Sequence, residues 1–168
     1  MEALFVNRYT PSIKLFEQFY RKTALKYSRV IGIIGLAALA VLLLVLIWIG
    51  RSNTPILLAI LVGAAFCFGL IFLHKLMAYG AMRRTMKAHG GDIYPTTVTF
   101  TDKITLREGT QTASLKYIEL TEVVDCGSLL ALLVSRGNGV IVKKDGFTKG
   151  DYKAFSAFLN EKISKSHR

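Results

Sequence analysis

The side chains able to do chemistry are few, and their spacing assembles no reaction centre. Cys67 lies inside an apolar run and Cys126 inside a strand-like stretch, with no histidine or second cysteine near either in sequence. A thiol in apolar surroundings keeps its proton and behaves as a small hydrophobe, so both read as buried thiols in a reducing cytoplasm. Two cysteines cannot frame a disulfide scaffold or a four-ligand zinc site, and His74, His89 and His167 do not stand at ligand spacings. Asp102, Asp125, Asp145 and Asp151 fall where turns and helix caps ordinarily use aspartate. No Walker loop, dinucleotide fingerprint, nucleophile elbow or HExxH motif occurs. Lys143, Lys144, Lys149 and Lys153 form a cationic group that either binds phosphate or is a solvated face. The chain therefore reads as non-enzymatic, with no catalytic residue, cofactor or metal site.

Composition says more about where the chain sits. Its 168 residues are 52% hydrophobic, yet 22 Lys/Arg face 11 Asp/Glu, a formal charge of +11. A mean hydropathy of +0.40 at pI 9.8 is not that of a soluble basic protein. Ten Phe and seven Tyr exclude a disordered chain. Residues 1–91 hold eleven cations against Glu2 and Glu17, whereas 92–168 hold eleven against nine acids. With so little net charge, the second part lacks the basic stripe that nucleic acid requires.

Two uncharged runs account for the hydropathy. Residues 30–50 and 55–73 are each long enough to cross about 30 Å of hydrocarbon as a helix. Residues 51–54 form a short external turn, and neither run shows the polar stripe of a soluble core helix. Arg8, Lys14, Arg21, Lys22, Lys26 and Arg29 precede the first run, and Lys75, Arg83, Arg84 and Lys87 follow the second; the turn offers only Arg51. The positive-inside rule then puts both termini of a multi-pass membrane protein in the cytoplasm. Of these cations, Lys14, Arg21, Lys22, Lys26, Arg29, Arg83, Arg84 and Lys87 are candidate contacts for anionic lipid. Ala59, Gly63 and Cys67 recur every four residues and form a candidate helix-packing face, matched by Gly32, Gly35 and Ala38 on the first span.

Before the spans, residues 1–29 read as a strand at Ala3–Tyr9 and an amphipathic helix. Thr10 is its expected N-cap, and the helix is expected to run unbroken into the first span. Beyond them, residues 74–91 continue the second helix to a stop at Gly90-Gly91. The period then changes from 3.6 to 2. Alternation at 97–101, 104–106, 113–117, 122–126, 129–135 and 140–143 predicts five or six strands in a meander. An apolar face of Tyr152, Phe155, Phe158, Leu159 and Ile163 predicts a closing helix, with Thr148 and Asp151 as its capping box. The fold class is thus a two-helix membrane hairpin plus a small α+β cytoplasmic domain at 92–168, pleckstrin-homology-like. Ala3–Tyr9 is expected to pair with an edge strand, at 97–101 or 140–143, making the hairpin an insertion within one fold.

The stretches Val98–Asp102, Ala113–Ile118, Leu129–Val134 and Val140–Phe147 after a two-span hairpin resemble the YcxB-like family of bacterial membrane proteins over roughly residues 95–165. Tyr117/Ile118 and Phe147 match its pattern, and Lys143 stands where the pattern has proline. The resemblance implies architecture and transfers no catalytic residue. On these grounds the leading function is a membrane protein whose cytoplasmic domain binds or regulates a protein partner, or a second copy of itself. A membrane immunity protein against an envelope-acting toxin, and a lipid-sensing or lipid-handling protein, are the alternatives.

Overall fold

A computed structural model describes residues 3–50, 54–135 and 138–166. Two compact units result: Met1–Ala24 with Ala78–Arg168, and Leu25–Met77 between them in sequence. The first is an antiparallel sheet domain and the second a pair of apolar helices.

In the sheet domain, β1 (Phe5–Tyr9) precedes α1 (Ile13–Lys22). After the second unit come β2 (Thr96–Phe100), β3 (Ile104–Glu108), β4 (Gln111–Leu115), a 3-10 turn at Tyr117–Glu119, β5 (Glu122–Asp125), β6 (Leu129–Ser135), β7 (Asn138–Lys143), β8 (Phe147–Lys149) and α4 (Tyr152–Ser166). Each alternating stretch named above carries a strand, because β-branched and aromatic residues at every second position suit a half-buried pleated surface. They divide, however, into two sheets instead of one meander: β4-β3-β2-β1-β8 and β5-β6-β7. The expected pairing of the N-terminal strand holds against β2, with Phe5 opposite Phe100 and Tyr9 opposite Thr96. On its other side β1 meets β8, not the 140–143 strand, with a register shift between Val6 and Asn7. It thus lies inside the sheet.

What β1 shares with the 140–143 strand is a side chain. Asn7 is fully buried; its amide donates to the Lys143 carbonyl at 2.7 Å and accepts from the Lys143 N–H at 3.1 Å. One side chain thereby takes the place of a ladder partner between the two sheets. Around it, Val98, Phe100, Ile104, Leu132, Val142, Phe155 and Leu159 form the core. Phe155 of α4 is its hub, with ring centroids 4.5, 5.1 and 5.6 Å from those of Phe100, Phe147 and Phe5. Phe158, expected as an equal core residue, is only partly buried. The helix start is capped by Asp151, which accepts from the Ala154 N–H at 2.9 Å. Thr148, the expected capping partner, belongs to β8 and donates to the Val6 carbonyl.

The arm helix also departs from expectation. Its N-cap is Ser12, not Thr10, accepting from Leu15 N–H. It stops at Lys22, because Thr23 leaves helical geometry and turns its hydroxyl back to the Phe19 carbonyl at 2.7 Å. A side chain satisfying its own helix end competes with continuation, so a turn separates α1 from the next helix. Leu15, Phe19 and Tyr20 are buried, and Gln18 accepts a hydrogen bond from Ser128 beyond β5.

The second unit holds α2 (Ser28–Trp48) and most of α3 (Thr54–Ala88). Both are long and apolar enough to cross a membrane, and Ile34, Leu44, Leu61 and Phe66 are all exposed. Residues 51–53 of the predicted turn lie outside the described residues. The small-residue face is the surface on which the two helices approach. A Cβ added at Gly32 would fall 2.7 Å from the Cys67 carbonyl, one at Gly35 2.6 Å from the Cys67 sulfur, and one at Gly63 3.2 Å from Leu39. Ala59 and Ala38, expected on this face, are exposed instead.

Two outcomes test this account. Phe155→Ala should destabilise the sheet domain by about 3–5 kcal/mol, the usual cost of truncating a buried Phe, in denaturant unfolding of the full chain. Asn7→Ala orphans the part-buried N–H and C=O of Lys143, and should cost about 2–6 kcal/mol at roughly 1–3 each. Asn7→Ala at wild-type stability would remove the amide bridge from the account.

Candidate functional site

Strand alternation gives the five-stranded sheet two unlike faces. Phe5, Asn7, Tyr9, Val98, Phe100 and Ile104 point into the core. The opposite face is hydroxyl and guanidinium. Register aligns Arg8 with Thr97, Thr97 with Arg107, and Arg107 with Thr112, one row across four strands. The next row runs Val6, Thr99, Thr105, Ser114. Arg8, Thr97, Thr99, Thr105, Arg107 and Thr112 line a concavity of about 620 Å³, walled at one end by Tyr94 and Pro95. Gly109 makes that wall: at φ +56° it turns the chain between β3 and β4, and the Tyr94 ring lies where a side chain would be, 3.2 Å from an added Cβ. Among the described residues, no carboxylate comes within ion-pair distance of Arg8 or Arg107.

Beneath this face the same strands enclose acid–base groups. Burial drives the Tyr9 phenol far above its ordinary pKa, against a hydrogen bond from Thr96 and assisted by Glu108. Glu108 lies 3.7 Å from His89, beyond α3, and its Oε1 is buried without a hydrogen-bond partner. Desolvation raises its carboxyl pKa, only partly offset by His89. Tyr117, buried and donating to the Thr101 carbonyl, is pushed up to about 12, first by burial and then by Asp102.

The predicted lipid-contact residues are all on the surface. Lys14, Arg21, Lys22, Lys26, Arg29, Arg83, Arg84 and Lys87 are exposed, with Arg84 donating to Gly80 one turn back. Arg21 and Lys22 share the last turn of α1 and act electrostatically on Cys126. Next to Cys126, Asp125 accepts from Lys144 at 2.7 Å, so its carboxyl is held low by that bond and by the Gly127 N–H. Of the lysines expected either to bind phosphate or to form a solvated face, Lys143 pairs with Asp145 at 3.1 Å and Lys144 with Asp125 at 2.7 Å. Burial pushes the Cys126 thiol up to about 11, and no group of three metal-ligating side chains occurs among the described residues. In the sequence Arg8 counts only as a flanking cation, and Arg107, expected in a turn after 104–106, lies in β3. Their signal was the run of outward Thr and Arg positions, legible once the register is known.

No family model, curated protein or solved structure matches the chain.

The Glu108 environment makes a signed prediction. A carboxyl whose folded pKa is raised costs nothing below its unfolded value and its full desolvation above the folded one. Glu108→Gln should therefore raise the melting temperature of the sheet domain near neutral pH, and the gain should vanish below the ordinary carboxylate range. A gain independent of pH would point to packing instead of charge.

Proposed function

We propose that this protein is a non-enzymatic integral membrane protein of two spans, with both termini cytoplasmic. Its sheet domain, a pleckstrin-homology-like arrangement of the kind YcxB-like proteins resemble, binds or regulates a protein partner. One observation carries the membrane part: large apolar side chains stand exposed along most of α2 and along residues 57–72 of α3, Trp48 among them at 89%. Such surface is costly in water at about 25 cal/mol per Å² and is at no cost in hydrocarbon. The ten flanking cations against Arg51 support the orientation, and exposed Tyr27 and Trp48 near the two ends of α2 suit the interfaces.

Binding is favoured over turnover by how the reactive groups are used. Asp125 and Asp145 are neutralised by lysines, Asp151 caps a helix, and Cys126 is held as a thiol. The split sheet supports regulation as the role. Strands from before and after the helices complete one sheet, so a ligand of the domain acts on a fold that owns both ends of the hairpin.

A reporter active only outside the cytoplasm should be silent after Arg168 and active when inserted between Ser52 and Asn53. Activity at the C-terminus would overturn the topology. Photo-crosslinkers placed at exposed Ser114 and Lys153 should give one discrete adduct in cells; a chain that stays monomeric at both would remove the protein partner.

A further inference from the structure

We propose that the outer face of the five-stranded sheet is a binding site for a small soluble phosphorylated anion, gripped by Arg8 and Arg107 over Thr97. The two arginines stand on β1 and β3 with one strand between them, about 10 Å apart at the backbone for strands spaced near 4.8 Å. Side chains of that length converge easily on an oxyanion held between them. A guanidinium offers its N–H groups in a planar fork that matches two phosphate oxygens at once. Thr97, Thr99, Thr105 and Thr112 surround the position with hydroxyls able to donate to the remaining oxygens.

Charge selects the occupant. Neither arginine has a carboxylate partner among the described residues. The acid next in sequence, Glu108, lies on the opposite face by alternation and faces His89. Two uncompensated cations across a single strand repel each other, and an anion between them removes that repulsion. Size narrows it further. A concavity of about 620 Å³ falls within the roughly 300–1,000 Å³ of small-molecule sites. The Tyr94 and Pro95 wall leaves an apolar end for the organic part of a phosphate ester. Anion binding here is independent of whether the domain also holds a protein partner or of how the chain crosses a membrane.

The test is calorimetric titration of the full chain, in uncharged detergent, with inorganic phosphate at constant ionic strength. Saturable one-to-one binding is expected, weakened roughly tenfold or more by Arg8→Gln and by Arg107→Gln, each removing charge-assisted hydrogen bonds. Arg107→Lys keeps the charge, loses the fork, and should also weaken binding. Lys103→Gln, exposed in the turn after β2 and outside the concavity, should leave it unchanged. Both arginines are exposed, so the variants should unfold thermally like the wild type. Absence of saturable phosphate binding overturns the proposal, as does undiminished binding in the Arg8→Gln/Arg107→Gln double variant. Wild-type affinity in Arg107→Lys would reduce the site to diffuse charge and overturn the grip. Repeating the titration in phosphatidylcholine nanodiscs with and without phosphatidic acid separates the sources: loss of phosphate binding to the anionic lipid, dependent on the two arginines, would make a lipid headgroup the occupant and overturn the soluble one.

Discussion

Asn7 has no room to be anything else. A fully buried amide surrounded by Phe and Val is tolerated only when both its ends are satisfied, and both are, by the N–H and C=O of the one residue Lys143. That pair of hydrogen bonds fixes β1 in height and direction against β7, while β2 and β8 hold it edge to edge. Phe5 is then carried onto Phe155, Tyr9 onto Thr96, and Arg8, between them in sequence, to the opposite face. Core, acid–base cluster and cationic groove all depend on the placement of this five-residue strand.

The groove also follows from economy in the sheet. A strand with one buried face leaves every second residue free of packing duties; here those positions are hydroxyls and Arg107 on β2 to β4, and Val6 and Arg8 on β1. Threonine suits both requirements, since its branched Cβ favours the extended backbone and its hydroxyl remains available to a ligand. The inner face shows the opposite economy: among the described residues Glu108 is the one carboxylate of these strands turned toward it, and its raised pKa records the cost.

How much of this was legible depends on the kind of signal. The apolar helices and strands β1 to β7 could be read because period and length survive in a single sequence. Strand β8 could not: three residues, Phe147–Lys149, between Gly146 and Gly150 show no period at all. Nor could the division into two sheets, because alternation tells which way a side chain faces and not which strand lies beside it. The break after α1 was hidden for another reason. No Gly or Pro marks it, and the interruption comes from a threonine hydroxyl returning to its own helix. Gly63 and Cys67 were recognised by spacing, but only the geometry separates them from Ala59, one turn away and exposed. The groove was the least visible, since Arg8 and Arg107 lie far apart in sequence and become neighbours only through Thr97.

The order of the strands along the chain has a consequence for biogenesis. β1 is made before both apolar helices and its partners after them, β2 about ninety and β8 about 140 residues later, so its pairing closes long loops at considerable entropic cost. A nascent chain must carry an unpaired strand with Phe5 exposed while both apolar helices are still emerging. If the helices take up a bilayer with both ends on one side, the loop is shortened to the distance between those ends, and the sheet can close. If they do not, β2 and β8 keep open edges, and such edges invite association with other chains. Completion of the sheet thus depends on where the helices between its strands have gone.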